Sequence, residues 1–494
     1  MIEEILPAPA SGLGAGVPVD ELRASVRRGF TDTVAELKEL VAIPGIAWDA
    51  FDASQLDRSA EAVAALVRGL GLADVQILRV NKDDGAPGGP AVVARKPAKP
   101  GYPTVVLYAH HDVQPPADLS LWETEPFTAV EKDGRLFGRG AADDKAGIMA
   151  HIGSMRAVAD ILGDDFGLGV TLFIEGEEEA GSPTFRTFLQ THRALLGGDV
   201  IVVADSSNWK VGVPALTTSL RGLVDGTVEV RVLDHAVHSG MFGGPILDAP
   251  TLLARLIATF HDDAGSVAIE GLASSEHAVL DYPEETFRAD AAVLDGVVLA
   301  GTGSITSRLW DKPALSIIGM DIPSVALSSN TLLPAARAKI SLRLAPGQDP
   351  EAAMAALDAH VQRHAPFGAH VTFTPGEAGQ PFATDTDTPA AKTALWALGE
   401  SWGVPAVESG MGGSIPFIAD LTEVFPDAQI LVTGVEDPDS RAHSANESLH
   451  LGDFEKAVTA EALLLAAMNA ASNRTWRRPG EAGGGTQTGS VLLP

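Results

Sequence analysis

The chain has 494 residues, of which 45% are hydrophobic and none is cysteine, and its formal net charge is -30. This length and apolar content allow two or more domains with a sizeable core. The acidic balance argues against nucleic acid and anionic membranes as partners, because those surfaces attract clustered lysine and arginine. The lack of cysteine excludes disulfides and sulfur-ligated metals, so a metal would need histidine, aspartate and glutamate.

The N-terminal part of the chain predicts two amphipathic helices. Segments 18–44 and 59–72 have apolar residues at helical spacing, and the first ends at a proline. The start of the chain lacks the basic residues and continuous apolar core of a signal peptide, and no uncharged apolar run approaches membrane-spanning length. A cytoplasmic protein without membrane contact is therefore expected.

Short runs of continuous apolar residues predict the strands of a first domain. The runs lie at 104–109, 170–174, 200–204 and 429–434. Helical segments separate them, and a closing helix is predicted at 454–472. Continuous apolarity is typical of strands that are buried on both faces. The pattern predicts an α/β fold with a mixed, mostly parallel sheet flanked by helices.

Strands of a different kind are predicted in the middle of the chain. Residues 226–233 and 336–345 alternate apolar and polar side chains, as half-exposed strands do. Helices near 249–262 and 350–363, an apolar run at 314–319 and a strand at 370–374 accompany them. The resulting order of strand, helix, strand, strand, helix, strand matches a ferredoxin-like α+β fold.

These patterns predict one domain inserted into another. The first domain is expected at 1–216 and 381–476, and the inserted domain at 217–380. The stretch 265–312 is an insertion without a predicted fold, and residues 477–494 are expected to form a flexible tail.

Acidic and imidazole side chains follow each buried run of the first domain. Their positions are His110 and Asp112 after the first run, Glu175, Glu177, Glu178 and Glu179 after the second, Asp205 after the third, and His443 beyond the fourth. Asp143 opens the helix between the first two runs. In open sheets with helical crossovers, ligands bind beyond the carboxyl ends of the strands.

Each of these residues has an ordinary structural explanation when it is taken alone. Asp143 could cap a helix, and a single histidine is more often a core residue than a ligand. Ionised carboxylates that converge on one sheet edge, however, are unfavourable unless a cation balances them. Two histidines and three or more carboxylates suit zinc, manganese or cobalt, and they suffice for two metals if one aspartate bridges.

The ordered motifs resemble those of the co-catalytic zinc peptidases and deacylases. That family includes carnosine dipeptidase, aminoacylase, carboxypeptidase G and succinyl-diaminopimelate desuccinylase. The segments that carry the resemblance are YAHHDVQP (108–115), GRGAADDKAG (138–147), EGEEEAGS (175–182), Asp205, HSGMFGG (238–244), RLAP (343–346), GGSIP (412–416) and AHSANE (442–447). The resemblance covers most of the chain and is greatest to the dipeptidase branch.

The resemblance implies a zinc-peptidase catalytic domain with two divalent metal ions and an inserted lid and dimerisation domain. The implied metal ligands are His110, Asp143, Glu179, Asp205 and His443, with Asp143 bridging the two ions. Glu178 is then the general base, and Asp112 orients His110. A cis peptide bond is implied at Asp143–Asp144. His111 offers a second imidazole beside His110, so the identity of the ligating histidine stays open.

The resemblance also implies roles for residues toward the C-terminal half. His238 would stabilise the oxyanion across a homodimer interface. Arg343 would bind the terminal carboxylate of the substrate through its guanidinium fork, and Gly413 and Ser414 would assist.

Hydrolysis of dipeptides is the expected activity, with zinc as the expected metal and manganese or cobalt as alternatives. An N-acyl amino acid deacylase on the same scaffold would share all the metal residues, so the substrate pocket must discriminate the two. An inactive binding protein of the same fold would be expected to lack a ligand or the general base, and none is missing in this sequence.

Overall fold

The structure is a computed structural model that describes residues 13–413, 416–471 and 476. The chain divides into two compact units. Unit 1 contains the described residues of 1–216, 385–407 and 420–494, and unit 2 contains those of 217–384 and 408–419. The predicted tail at 477–494 lies outside the described residues. The functional roles expected for the two domains stay predictions.

The helices are numbered in chain order. They are α1 (Val19–Val41), α2 (Ala53–Arg68), α3 (Lys145–Leu162), α4 (Phe185–Thr191), α5 (Arg193–Leu196), α6 (Ser239–Phe242), α7 (Ala249–Ile257), α8 (Glu284–Asp290), α9 (Ile305–Trp310), α10 (Pro350–Arg363), α11 (Pro389–Trp402), α12 (Pro416–Val424) and α13 (Leu451–Ala470). None of these described helices combines the length and apolarity that crossing a membrane requires.

The strands are numbered in the same way. They are β1 (Ala73–Leu78), β2 (Ala91–Lys96), β3 (Thr104–His110), β4 (Val130–Lys132), β5 (Arg135–Phe137), β6 (Gly169–Glu175), β7 (Val200–Val203), β8 (Ala215–Leu220), β9 (Gly222–Arg231), β10 (Val237–His238), β11 (Ala314–Asp321), β12 (Thr331–Leu332), β13 (Ala335–Leu344), β14 (His370–Gly379), β15 (Phe382–Ala383), β16 (Val407–Met411), β17 (Gln429–Val432) and β18 (Ser448–His450).

Unit 1 contains a mixed and largely parallel sheet, as predicted. Its strands follow the order β1-β2-β6-β3-β7-β17. The strands β6, β3, β7 and β17 are mutually parallel, whereas β1 and β2 pair antiparallel at one edge. Each predicted apolar run forms one of the parallel strands, and β6 and β7 are buried along their whole length. Two-sided burial explains why these strands lack polar alternation.

The helices of unit 1 pack around this sheet. Helix α3 packs on β3 and also contacts α1 and α13, and α11 packs against α13. Their apolar faces share one core cluster with the buried strands, including Leu37, Ile152 and Leu463. Helix α2 begins at Ala53, six residues before the predicted start, because Asp52 caps it by accepting a hydrogen bond from the N–H of Ser54.

Unit 2 contains a four-stranded antiparallel sheet in the order β11-β13-β9-β14. Helices α7 and α10 pack on this sheet and share its core with residues such as Val228, Leu253 and Leu357. The strand and helix order is that of the predicted ferredoxin-like fold. The insertion at 265–312 contains the short helices α8 and α9.

Candidate metal centre

Strand β3 ends at a histidine that lies inside unit 1. Strands β6 and β7 flank β3 on both sides, and His110, its last residue, is fully buried. The Nδ1 atom of His110 lies 3.2 Å from the main-chain oxygen of Asp112. The Nε2 atom lies 3.1 Å from Oδ1 of Asp143. One ring nitrogen is therefore held by the main chain, and the other faces a carboxylate.

The side chain of Asp112 organises the loop that carries the neighbouring glutamates. Its Oδ1 accepts a hydrogen bond from the N–H of Glu178 at 3.2 Å, and its Oδ2 accepts one from the N–H of Glu179 at 3.0 Å. Oδ1 also lies 3.4 Å from Nδ1 of His110. Asp112 thus positions the main chain of both glutamates and contacts the ring of the histidine.

Two of the four glutamates in EGEEEAGS serve the fold. Glu175 ends β6 and accepts a hydrogen bond of 2.6 Å from the hydroxyl of Tyr108. Glu177 accepts hydrogen bonds from the N–H groups of Gly89 at 2.6 Å and Thr184 at 2.8 Å. These contacts hold the loop against its surroundings.

The other two glutamates face the predicted centre. Glu178 and Glu179 begin a 3₁₀ turn over Glu178–Ala180. Glu179 accepts hydrogen bonds from the main-chain N–H of Gln114 at 3.1 Å and from its side-chain amide at 2.7 Å. The Oε2 atom of Glu179 also lies 3.2 Å from Nε2 of His443. The four glutamates of EGEEEAGS therefore divide into two that support the loop and two that face the predicted centre.

Asp143 lies between the two histidines. Its Oδ1 is 3.1 Å from Nε2 of His110, and its Oδ2 is 3.0 Å from Nε2 of His443. The Asp143–Asp144 peptide bond is cis, as the resemblance implied. An aspartate with one oxygen toward each histidine has the geometry that a bridging ligand requires.

Asp205 and His443 follow two neighbouring parallel strands. Asp205 lies two residues after the end of β7, and His443 lies in the loop beyond β17. The backbone of His443 has a φ of +61°. A positive φ is unfavourable for a residue with a side chain and persists where the surrounding structure enforces it.

The donor atoms form two adjacent groups. The first group is His110, Glu178 and Asp205, and the second is Asp143, Glu179 and His443. Within each group, one ligand atom per residue lies within 4.8 Å of the others. Imidazole nitrogens combined with carboxylate oxygens suit zinc, manganese or cobalt. The residues therefore fit two divalent metal ions.

The centre is rich in buried carboxyl groups. Burial raises the pKa of Glu178 well above its usual range, and the carboxylates of Asp205 and Glu179 raise it further. Burial also raises the pKa of Asp205 to about 7. Hydrogen bonds to Asp143 and Glu179 raise the pKa of His443 to about 11. Added positive charge would stabilise the ionised form of these carboxyl groups, and two cations would supply that charge.

His111 lies outside both donor groups. Its Nε2 is 2.7 Å from the main-chain oxygen of Pro90, and its ring is fully buried. Burial lowers the pKa of His111 to about 4, so the ring is neutral at pH 7. Of the two adjacent histidines, His110 is the one that approaches the carboxylates.

Comparison with known proteins shows the family of this chain. The profile of peptidase family M20/M25/M40 matches residues 106–467, a span that contains both donor groups. The chain belongs to peptidase family M20/M25/M40. Membership in this family makes it a hydrolase of the peptidase class.

Curated relatives of this M20 peptidase include dipeptidases from bacteria and mammals. Cysteinylglycine-S-conjugate dipeptidase of Corynebacterium striatum is 36% identical over 368 residues, which cover 74% of this chain and 80% of the relative. Beta-Ala-His dipeptidase of Rattus norvegicus is 27% identical over 386 residues, which cover 74% of this chain and 77% of the relative. The solved structure of the dipeptidase Dug1p from Saccharomyces cerevisiae shares the fold, with 21% identity, a TM-score of 0.72, and coverage of 92% of this chain and 99% of that one.

The remaining predicted site residues of the M20 peptidase belong to unit 2. His238 ends β10, is exposed, and accepts a hydrogen bond at Nδ1 from the N–H of Gly240 at 3.0 Å. Arg343 lies on β13 and is half-buried, as is Gly413 after β16. Ser414 lies outside the described residues. The roles of these residues toward a substrate stay predictions.

A buried glutamate that the sequence did not single out joins two loops of the M20 peptidase. The carboxylate of Glu447 is fully buried. It accepts hydrogen bonds from Arg139 Nη1 at 2.7 Å and from the N–H groups of Gly140 at 3.0 Å, Ala142 at 2.9 Å and Asp143 at 3.1 Å. Glu447 lies four residues after His443, so it links the loop of His443 to the loop of Asp143. The motif AHSANE contains Glu447, but its spacing does not indicate the contact.

Lys145 supports the same loop from the start of α3. Its side chain is fully buried, and its Nζ donates hydrogen bonds to the main-chain oxygens of Leu40 at 2.9 Å and Ile43 at 2.7 Å. Burial lowers the pKa of Lys145 to about 7. The lysine of the GRGAADDKAG motif therefore anchors α3 to the end of α1.

Proposed function

We propose that this chain is a metal-dependent dipeptidase in which Glu178 is the general base. The observation that carries the proposal is the position of Asp143, whose two oxygens face His110 at 3.1 Å and His443 at 3.0 Å. The proposed ligands are His110, Asp143 and Asp205 for one ion, and Asp143, Glu179 and His443 for the other. The dipeptidase names of the relatives support dipeptides as substrates.

The proposed reaction divides between the ions and the side chains. Two divalent ions bound by these residues would supply Lewis acidity and lower the pKa of water toward neutrality. Glu178 belongs to the donor group that contains His110 and Asp205. The main-chain N–H of Glu178 donates a hydrogen bond to Asp112, which fixes its position. The carboxylate of Glu178 accepts the proton of the attacking water and donates it to the nitrogen of the leaving amino acid. Burial raises the pKa of Glu178, so its carboxylate favours proton acceptance.

Zinc is the proposed metal, and manganese and cobalt are the alternatives. Two imidazoles and several carboxylates without sulfur are compatible with all three ions. The cytoplasmic location stays a prediction from the sequence.

Parallel assays separate the proposed activity from the deacylase alternative. The protein is loaded with zinc, manganese or cobalt and offered dipeptides, N-acetyl amino acids and N-succinyl amino acids under the same conditions. We expect kcat/KM to be highest for dipeptides. A preference for an acylated amino acid would replace the proposal with the deacylase, and no hydrolysis with any metal would support a binding protein.

We also propose that the protein is a homodimer formed through unit 2. Strand β11 is at the edge of its sheet, and Ile318 and Met320 on it are 58% and 43% exposed. Met241 and Phe242, which follow His238 closely in sequence, are 75% and 49% exposed. Open edge strands and large exposed apolar side chains favour pairing with another chain. The proposed partner is a second copy, whose active site would receive His238.

Mixed dimers test this shared site. His238→Ala and Glu178→Gln proteins are each expected to be nearly inactive as homodimers. When the two are unfolded together and refolded, one site of a mixed dimer receives an intact Glu178 from one copy and an intact His238 from the other. Regained activity is therefore expected. Absence of regained activity in a mixture that sediments as a dimer would contradict the exchange of His238 between copies.

A further inference from the structure

Two arginines share one face of the sheet in unit 2. Arg343 on β13 stands opposite Leu223 on β9. Arg221 precedes β9 by one residue and lies two residues before Leu223. Side chains two residues apart on an extended chain point to the same face. Arg221 and Arg343 are therefore diagonal neighbours, a relation in which long side chains can meet.

The side chain of Arg221 is fixed by main-chain oxygens. It is only 8% exposed, its Nε donates to the oxygen of Gly412 at 3.1 Å, and its Nη1 donates to the oxygen of Lys312 at 3.4 Å. Its own N–H donates to the oxygen of Met411 at 3.2 Å. Arg221 thus holds the segment that leads into Gly413, a predicted substrate-binding residue. Carbonyl groups carry no net charge, so these contacts leave the positive charge of Arg221 unneutralised.

This packing leaves little room for a side chain at position 412. A Cβ atom at this position would stand 2.9 Å from Nη2 of Arg221. The guanidinium therefore lies directly against the main chain of Gly412. A larger residue would force the guanidinium and the main chain apart.

The two guanidinium groups repel each other. Burial lowers the pKa of Arg221 to about 10, and the positive charge of Arg343 contributes to this change. An anion beside both groups would remove the repulsion. Guanidinium groups bind carboxylates through two parallel hydrogen bonds, which makes a carboxylate the matching ligand.

We propose that Arg221 and Arg343 act as a pair in recognising the free carboxylate at the C-terminus of the substrate. Arg343 contacts the carboxylate, and Arg221 is a positioning residue that supplies the second positive charge and holds Gly412 and Gly413 in place. This inference rests on the proposed dipeptidase function.

The test compares a dipeptide with the same dipeptide carrying a C-terminal amide. The proteins are the metal-loaded wild type, Arg221→Gln, Arg221→Lys and Gly412→Ala. The matched control is Arg308→Gln, because Arg308 also belongs to unit 2 and donates to main-chain oxygens, those of Ala300 at 3.0 Å and Ser304 at 3.4 Å. Thermal unfolding is measured on every protein, so that a loss of fold is separated from a loss of recognition.

We expect Arg221→Gln to raise KM for the dipeptide by roughly tenfold or more, because one of the two positive charges near the carboxylate is lost, while kcat changes little. Hydrolysis of the amide should be unaffected, so the preference for a free carboxylate shrinks. Arg221→Lys should recover part of that preference because the charge remains. Gly412→Ala should act in the same direction as Arg221→Gln, and Arg308→Gln should behave as the wild type.

An Arg221→Gln protein that folds normally and keeps the wild-type preference for the carboxylate would overturn the inference, although the dipeptidase function would stand. If the wild type hydrolyses neither compound, the proposed function fails. The inference is then decided by calorimetric titration of dipeptide and amide into metal-loaded Glu178→Gln, with and without Arg221→Gln. Tighter binding of the acid that depends on Arg221 supports the pair, and equal or absent binding of both overturns it.

Discussion

Replacement of Glu447 by glutamine tests whether one buried carboxylate holds the metal-binding loops together. The carboxylate of Glu447 accepts four hydrogen bonds, three from main-chain N–H groups and one from Arg139. Glutamine has nearly the same shape but offers only one acceptor oxygen. In either orientation of the amide, its NH₂ group faces two donors, and Arg139 loses its anionic partner.

The expected loss of stability is large. Removing one partner from a buried ion pair destabilises a protein by about 3–5 kcal/mol, because the remaining charge stays buried without compensation. A buried donor left without an acceptor costs about 1–3 kcal/mol. These effects overlap in Glu447→Gln, so we expect the free energy of unfolding to fall by about 3–5 kcal/mol. Metal affinity should fall by roughly 10–100-fold, as when a residue that supports a ligand is lost.

Urea unfolding of the metal-free protein, followed by circular dichroism, measures the first effect, and calorimetric zinc titration measures the second. The control is Glu455→Gln, which removes a partner from the exposed ion pair with Arg27, 3.3 Å apart. Exposed pairs contribute about 0–1 kcal/mol, so this variant should resemble the wild type. A loss below about 1 kcal/mol in Glu447→Gln, with unchanged zinc affinity, would refute the role of Glu447.

Two further predictions concern Glu178 and Glu175. Glu178→Gln should retain both metals by elemental analysis and lose turnover by roughly 10²–10⁴-fold, and ordinary activity would refute the base assignment. Burial raises the pKa of Glu175 to about 8, so the folded, metal-free protein holds a proton there that the unfolded chain releases above about pH 4.5. The wild type should therefore lose stability relative to Glu175→Gln as pH rises from about 4.5 to about 8, with no further change above. A pH-independent difference between the two urea midpoints would contradict this assignment.

The parallel sheet and the strand-end residues could be predicted from local patterns. Continuous apolar runs such as TVVLYA at 104–109 indicate burial on both faces, and such strands are usually parallel. Parallel strands that end at one edge bring together the residues that follow them. His110, Asp205 and His443 come close in the structure for this reason, although they are far apart in sequence.

Contacts that depend on tertiary packing could not be predicted. Glu447 contacts main-chain groups more than 300 positions earlier in the chain. The spacing of apolar residues in the sequence does not predict a contact over that distance. Strand β1 at the edge of the sheet was also missed, because it is partly exposed and lacks a continuous apolar run. The sequence also could not show which of the adjacent histidines His110 and His111 faces the carboxylates. The structure distinguishes them, because the ring of His111 contacts the main-chain oxygen of Pro90.

The central claim is tested most directly by counting metal ions and following hydrolysis of a dipeptide on the same sample. The protein is stripped with a chelator, titrated with zinc, and assayed after each addition. We expect no hydrolysis in the stripped protein and full recovery as occupancy reaches two ions per chain. Hydrolysis that survives complete removal of metal, or that saturates without a second bound ion, would contradict a catalytic centre built from two metal ions.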